Sequence, residues 1–150
     1  MTQPWTLDNL PFFGSCENLD TKSFPDGSVS EMYSPPRVAP RACRFGFSQG
    51  ASMDLTTTDE NGIPWDFTCP DRRKAALAYI KQHRPLLIVG SPMCRMFSQM
   101  MRVNRKKMGE LRYRRELRAA VDHVIFMLQV YELQMQEGRY FVHEHPPASY

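Results

Sequence analysis

The chain has 150 residues, a formal net charge of +3 and four widely spaced cysteines, which suits one domain large enough to bury a core. No apolar run approaches the roughly 18 residues that a membrane-spanning helix needs, and the first residues lack the basic start and apolar stretch of a signal peptide. We therefore expect an intracellular protein, cytoplasmic or nuclear, with no membrane partner, no disulfides and no zinc knuckle.

The first half of the chain gives weak structural signals. Residues 1–29 are predicted to be an irregular or partly disordered lead-in, because Pro, Gly, Asn, Asp and Ser are frequent and no period is sustained. The domain is then predicted over residues 30–150. It begins with a strand at residues 30–34, followed by a helix from Pro36 to near Gly46 and a strand at residues 52–55. The pattern at residues 65–67 is ambiguous.

The second half is more regular. Apolar spacing predicts a helix at residues 71–83, and the continuous apolar run at residues 86–89 predicts a strand buried on both faces. A long helix is predicted at residues 107–136, followed by a strand at residues 140–143. Its apolar residues recur at spacings of 4, 3, 4, 3 and 4 and form one stripe: Leu117, Val121, Val124, Leu128, Tyr131 and Met135. The order of elements predicts a Rossmann-like α/β fold, a parallel sheet with helical crossovers.

Reactive side chains follow two of the predicted strands. Ligands of open parallel sheets lie beyond the carboxyl ends of the strands, where the connecting loops leave the sheet. The run Gly90-Ser91-Pro92-Met93-Cys94-Arg95-Met96-Phe97-Ser98 follows one strand, and His143-Glu144-His145-Pro146 ends the next. We expect the side chains of His143 and His145 to point to opposite faces of their strand and not to share a metal.

These residues resemble the catalytic half of the cytosine-5 DNA methyltransferases. In that family a buried strand ends in a Pro-Cys turn followed by Phe-Ser, and the next strand ends in a glutamate. Pro92, Cys94, Phe97, Ser98 and Glu144 match this pattern. Met93 and Arg95 stand where the family has the second proline and the glutamine of its Pro-Pro-Cys-Gln turn. After the glutamate, His145-Pro146 stands where the family has Asn-Val.

The resemblance implies a reaction and two catalytic residues. Cytosine carbon 5 is a poor nucleophile, so the family adds a cysteine thiolate to carbon 6, and the activated ring then accepts a methyl group from S-adenosylmethionine. Cys94 would be that thiolate. Glu144 would be the acid that protonates ring nitrogen 3. The target base must be unpaired to reach such a pocket.

The cofactor half of the family is matched more loosely. Glu31-Met32-Tyr33-Ser34 falls at the family's first strand, but Pro35-Pro36-Arg37 stands in place of its glycine-rich turn. Asp54 falls where the family has an acid on the ribose hydroxyls, and Asp66 where it has an acid on the adenine amino group. The family's later motifs have no counterpart, so we expect a diverged or truncated domain that needs a second chain or a missing C-terminal lobe.

A basic run follows the Cys94 loop. Residues 102–118 carry eight Lys and Arg but only two acids. Such a run contacts the phosphates of a nucleic acid, for which DNA is the expected partner, or is simply a solvated helix face. The expected contact residues are Arg102, Arg105, Lys106 and Lys107. Two alternatives to an enzyme follow: a nucleic-acid-binding domain of a mobile-element-type polyprotein that does no chemistry, and an assembly segment that uses the long helix.

Overall fold

A computed structural model describes residues 27–145 of the chain, without the side chains at positions 99, 100, 102 and 103. In this part, four strands form one parallel sheet in the order β2-β1-β3-β4. The predicted α/β class with a Rossmann-like parallel sheet is confirmed. The strands are β1 (Ser28–Met32), β2 (Ser48–Met53), β3 (Leu87–Gly90) and β4 (Tyr140–His143). The α-helices are α1 (Ala39–Ala42), α2 (Pro70–His83), α3 (Gln99–Met108) and α4 (Glu110–Gln136), with 3-10 turns at Cys43–Phe45 and Arg95–Phe97.

The first two strands lie earlier in the chain than predicted. β1 ends at Met32 because Tyr33 adopts a left-handed backbone conformation, with φ of +62°. β2 includes Gln49 and Gly50, which read as polar or breaking residues, and a Cβ at Gly50 would collide with the backbone of Val29 in β1. Of the predicted lead-in, residues 1–26 lie outside the described residues, and Val29 belongs to β1.

The helix predicted from Pro36 is shorter than expected. α1 spans only four residues, and a 3-10 turn continues it to Gly46, whose φ of +82° ends the helical segment. By contrast, α2 was predicted to within one residue. Residues 65–67, which the sequence left ambiguous, have no regular secondary structure, yet Trp65 and Phe67 are both buried in the core.

One hydrophobic core joins the sheet to α2 and α4. Its buried residues are Met32, Met53, Trp65, Phe67, Ala76, Ile80, Ile88, Phe126, Met127, Val130 and Tyr131. β3 was expected to be buried on both faces, but Leu87 and Val89 are only half-buried while Ile88 and Gly90 are fully buried. A Cβ at Gly90 would collide with Tyr131 and Met127, so this glycine allows α4 to approach the strand.

The long helix predicted at residues 107–136 is α4, which begins at Glu110, and the preceding helix, α3, was not predicted. Gly109, with φ of +82° and ψ of +143°, ends α3 and precedes α4. This conformation is accessible to glycine and strained for other residues, so the chain changes direction there. α3 carries four of the eight basic residues of the run at residues 102–118, namely Arg102, Arg105, Lys106 and Lys107.

The apolar stripe predicted from the sequence is not the buried face of α4. Of its six members only Tyr131 is buried, and Leu128 and Met135 are 57% and 60% exposed. The buried face is instead Ala120, His123, Phe126, Met127, Val130, Tyr131 and Gln134. Two of these residues are polar, which is why a count of apolar residues misplaced the face.

Both buried polar residues of α4 have hydrogen-bond partners. His123 Nδ1 lies 2.8 Å from the hydroxyl of Tyr33. Gln134 donates to the carbonyls of Pro85 and Tyr140 and accepts a bond from the buried Arg139. Satisfied polar groups of this kind can replace apolar residues in a core without a large energetic cost. α4 therefore belongs to the domain and packs on the sheet through a mixed face.

Candidate functional site

The sheet topology sets where a ligand site should lie. β1 is central, with β2 on one side and β3 on the other, so the strand order reverses between β1 and β3. In open α/β sheets the crevice beyond the carboxyl ends of the strands at such a reversal is the usual ligand site. The carboxyl ends of the four strands are followed by Tyr33, Asp54, Ser91 and Glu144.

A pocket of about 110 Å³ lies at this edge. It contains both acids that the resemblance assigned to the cofactor, Asp54 and Asp66, together with Ser91 and Met93 from the loop that carries Cys94. The remaining lining residues are Tyr33, Leu55, Trp65, Phe67, Thr68 and His123. The pocket thus combines apolar and aromatic walls with a few polar groups, as small-molecule sites do, but its volume suits a single ring.

Asp54 and Asp66 are held in the same way. The carboxylate of each accepts hydrogen bonds from the backbone amide and the hydroxyl of the threonine two residues later: Thr56 for Asp54 and Thr68 for Asp66. The bonds from Thr68 hold the pKa of Asp66 below its usual range, so Asp66 is ionised at neutral pH. Each threonine bonds to Oδ1 of its aspartate.

Tyr33 and His123, a pair that was missed from the sequence, lie together in the wall of the pocket, with His123 buried and Tyr33 partly buried. Besides their 2.8 Å hydrogen bond, the two rings meet edge-to-face with centroids 5.4 Å apart. Burial raises the pKa of Tyr33 above its ordinary value, and burial together with Arg73 lowers the pKa of His123. Both side chains are therefore neutral at pH 7. No feature of the sequence pairs two residues that lie 90 positions apart.

Glu31 closes the turn between β1 and α1. This residue is fully buried, and its Oε1 accepts hydrogen bonds from the backbone amides of Arg37, Val38 and Ala39 at 2.9, 2.9 and 2.7 Å. Its other oxygen, Oε2, has no hydrogen-bond partner among the described residues. The amides that would cradle a ligand anion in other Rossmann-like folds are thus bound to a carboxylate of the chain itself.

Cys94 and Glu144 lie on adjacent loops. Their strands pair directly, with Gly90 opposite His143, and the amide of Glu144 donates to the carbonyl of Gly90 at 2.9 Å. The rings of Phe97 and His145 join the two loops with an edge-to-face contact, centroids 5.0 Å apart. Cys94 is half-buried and Glu144 is exposed, and neither is among the residues that line the 110 Å³ pocket.

The expectation that the side chains of His143 and His145 point to opposite faces was wrong. Their rings stack, with centroids 5.6 Å apart and planes 10° apart, because residues two positions apart in extended chain point to the same side. His143 Nδ1 lies 2.8 Å from the hydroxyl of Tyr131. In residues 27–145, no group of three or more His, Cys, Asp or Glu side chains is arranged to hold a metal ion.

The basic run divides into paired and unpaired residues. Arg105 pairs with Glu110 and lies over the ring of Tyr113, while Arg112, Arg114 and Arg118 pair with acids on α4. Lys106 and Lys107 are exposed and have no ion pair in the described part of the chain. Arg102 lies in α3, but its side chain is outside the described residues. Of the four expected contact residues, Lys106 and Lys107 are therefore the most available to a phosphate.

Comparison of the chain with protein-family models, with curated proteins and with solved structures gave no match. Over residues 27–145, no helix is both long and apolar enough to span a membrane. The fold class consequently rests on the sheet topology, and a function has to be inferred from the site.

Proposed function

We propose that the domain binds S-adenosylmethionine at the carboxyl edge of its sheet and methylates cytosine in nucleic acid, with Cys94 as the nucleophile. One observation carries the proposal. Asp54 and Asp66, picked from the sequence as cofactor contacts, line one pocket with two residues of the Cys94 loop, at the edge where the strand order reverses. Asp54, Asp66 and the loop after β3, which are distant in sequence, thus contribute to one small site.

The chemistry of the pocket suits the adenosine part of the cofactor. Ionised carboxylates accept hydrogen bonds from ribose hydroxyls and from an exocyclic amino group, and aromatic walls pack on a planar ring. A volume of about 110 Å³ accommodates one ring, so the rest of the ligand would lie outside the pocket. S-adenosylmethionine would supply the methyl group.

Glu31 favours this cofactor over a dinucleotide. A dinucleotide places its pyrophosphate on the amides of the turn after the first strand. Here Oε1 of Glu31 already accepts hydrogen bonds from three of those amides, so they are not available to a phosphate. S-adenosylmethionine carries no phosphate and makes no such demand on the turn.

The proposed roles of the remaining residues follow from the resemblance and from their places on the fold. The Cys94 thiolate would form a bond to cytosine carbon 6 while Glu144 donates a proton to ring nitrogen 3. Carbon 5 would take the methyl group, with S-adenosylhomocysteine as the leaving group. Loss of the carbon 5 proton to water, return of the nitrogen 3 proton to Glu144 and release of the thiolate would then restore the ring. The adjacent loops of β3 and β4, joined by Phe97 and His145, would bring the two residues to one base.

A methyl-transfer assay tests the proposal. Radiolabelled S-adenosylmethionine is incubated with a cytosine-rich oligonucleotide and either the wild-type chain, Cys94→Ser or Cys69→Ser. Cys69 is exposed at the start of α2 and serves as the matched control. We expect transfer by the wild type and the control, and a loss of more than about a hundredfold in Cys94→Ser. Equal transfer by all three proteins would remove Cys94 from the mechanism.

The site also gives reason for a second candidate, a nucleic-acid-binding domain that does no chemistry, of the kind found in a mobile-element-type polyprotein. The observations that favour it are the small volume of the pocket, which leaves little room for a cofactor, and two exposed lysines that have no ion pair among the described residues, Lys106 and Lys107. In this alternative Lys106 and Lys107 at the end of α3 contact phosphates, and the carboxyl edge of the sheet supports the bound strand.

Salt dependence of DNA binding tests that candidate. Each phosphate that a lysine neutralises adds about 0.9 to the slope of log affinity against log salt for duplex DNA. Replacing Lys106 and Lys107 together by Gln should therefore lower the slope by roughly 1.8. Lys74→Gln with Lys81→Gln, two exposed lysines on α2, is the control and should leave the slope unchanged. A slope insensitive to both pairs would place the phosphate contacts elsewhere.

A further chain or lobe is part of the proposal. β4 is an edge strand, and all four of its residues are exposed, including Tyr140 at 65% and Val142 at 50%. An exposed apolar edge strand is a ready template for pairing with another strand. We assign to this edge the segment, from the same or a second chain, that would complete the substrate-binding side of the enzyme.

A further inference from the structure

A second pocket, of about 170 Å³, shares Met93 with the first. It lies between the 3-10 turn that follows Cys94 and the first half of α4. Its lining residues are Met93, Arg95, Met96, Glu116, Ala119 and Ala120. No role follows from the sequence for Glu116, Ala119 or Ala120. Of the six residues, only Met93 also belongs to the proposed cofactor site.

The lining has the composition of a site for one planar, polar ring. Met93 and Met96 present polarisable thioethers, which make favourable contacts with aromatic rings. Ala119 and Ala120 form a floor of small side chains on α4, which leaves the space open. The volume is well below the roughly 300 Å³ at which pockets for drug-sized ligands begin.

Two opposite charges provide polar contacts at this pocket. The guanidinium of Arg95 offers donors only, and the carboxylate of Glu116 offers acceptors only. They are close enough for Arg95 to help lower the pKa of Glu116, behind the larger effect of its hydrogen bond from Arg112. That bond, 2.8 Å long, uses Oε1, so Oε2 remains for a ligand.

We infer that this pocket binds a single unpaired cytosine, the base next to the one that reacts. A cytosine edge presents an amino donor beside carbonyl and ring-nitrogen acceptors, which complements Glu116 and Arg95. Uracil and thymine present a carbonyl oxygen in place of the amino group and would face the Glu116 carboxylate with an acceptor. Cys94 is not among the lining residues, so the pocket holds a neighbouring base and sets the sequence context.

The inference rests on the proposed function only where it places this base next to the one that reacts. Binding of the base itself is measured without cofactor or methyl transfer. Fluorescently labelled octamers of deoxycytidine and deoxyuridine are titrated with the chain and followed by anisotropy. The two octamers carry the same phosphates, so contacts to the backbone cancel in the ratio of affinities. We expect the deoxycytidine octamer to bind about tenfold more tightly, as one charge-assisted hydrogen bond allows.

Three variants locate the effect. Glu116→Gln should abolish the preference, because an amide can also donate to the carbonyl of uracil. Ala119→Leu fills the pocket from an exposed position on α4 and should abolish it too. Glu132→Gln changes an exposed glutamate on the same helix and should keep the tenfold ratio.

Each outcome of this titration decides something. Equal affinity of the wild type for both octamers, no binding of either, or a preference that survives both Glu116→Gln and Ala119→Leu would overturn the inference. A preference lost in those two variants, in a chain that transfers no methyl group, would keep the base pocket and reject the methyltransferase proposal. Methyl transfer by a chain that binds both octamers equally would reject the base pocket and keep the methyltransferase proposal.

Discussion

At the scale of single residues, Glu31 determines the character of the turn after β1. A buried carboxylate that accepts three backbone amides holds the start of α1 and keeps other anions away. The resemblance drew attention to absent glycines at this turn. The structure gives a physical reason why they are not needed: the turn wraps around a side chain of the protein and not around a ligand.

Removing this carboxylate should destabilise the domain. In Glu31→Ala three amides lose their acceptor, and we expect the free energy of unfolding to fall by roughly 2–4 kcal/mol. Glu31→Gln keeps an acceptor oxygen and should lose less. Urea denaturation measures both, with the exposed Glu60→Ala as control. An unchanged midpoint in Glu31→Ala would show that the three hydrogen bonds contribute little.

His123 should make stability depend on pH. Its pKa is lowered in the folded state from the ordinary value of 6.5, chiefly by burial. The unfolded chain therefore takes up the proton first, and the stability that this residue contributes above pH 6.5 is lost as the pH falls through the folded pKa. Urea denaturation at about pH 7.5 and 5.5 should show this loss in the wild type and a smaller loss in His123→Gln.

A charge control accompanies that experiment. Lys81→Gln removes a positive charge from the surface of α2 and should keep the wild-type dependence on pH. If His123→Gln and the wild type lose stability equally between the two pH values, the buried histidine does not carry the effect, and other groups must.

Residues that match a local sequence pattern could be selected from the sequence, whereas contacts that depend on packing could not. Asp54 and Asp66 were selected because each falls at a local position of a known pattern, and both line one pocket. Tyr33 and His123 escaped because their contact joins β1 to α4 across most of the chain. Cys94 and Glu144 lie on adjacent loops because β3 and β4 pair directly, and this pairing was not predicted from the sequence.

At the scale of secondary structure, α3 and α4 show where periodicity fails. The predicted helix began at residue 107 and ran across Gly109, and no helix was predicted at residues 99–106. The backbone angles at this glycine separate α3 from α4. The strands at the end of the sheet were easier to predict, because β3 and β4 are short apolar runs bounded by Pro85, Gly90 and Gly138.

A substitution at Gly109 distinguishes the two helices from one. At φ of +82° an alanine is strained, so Gly109→Ala should destabilise the domain by about 1 kcal/mol. In a continuous helix the same change would stabilise by about 1 kcal/mol, because alanine is the better helix former. Thermal or urea denaturation gives the sign. Asn104→Ala, within α3, is the control and should stabilise slightly.

The corrected face of α4 makes a similar test. Phe126 is 1% exposed and packs on Phe67, whereas Leu128, two residues later, is 57% exposed. We expect Phe126→Ala to cost about 3–5 kcal/mol and Leu128→Ala less than about 0.5 kcal/mol. Comparable losses measured by urea denaturation would restore the stripe predicted from the sequence.

At the scale of the whole molecule, the described part of the chain is a Rossmann-like sheet whose carboxyl edge carries acidic, histidine and cysteine side chains. β1 and β3 meet where the strand order reverses, and two pockets flank the loop that follows β3. The fold class was predictable because alternating helices and strands admit few topologies. The pockets were not, because they depend on how loops and α4 pack together.

The central claim, a nucleoside cofactor held by Asp54 and Asp66, is tested most directly by calorimetric titration with S-adenosylhomocysteine. The account predicts saturable binding that weakens about tenfold or more in Asp54→Asn and in Asp66→Asn. Asp71→Asn, an exposed acid at the start of α2, should bind as the wild type does. No heat at millimolar ligand would contradict the account and favour the alternative in which the domain does no chemistry.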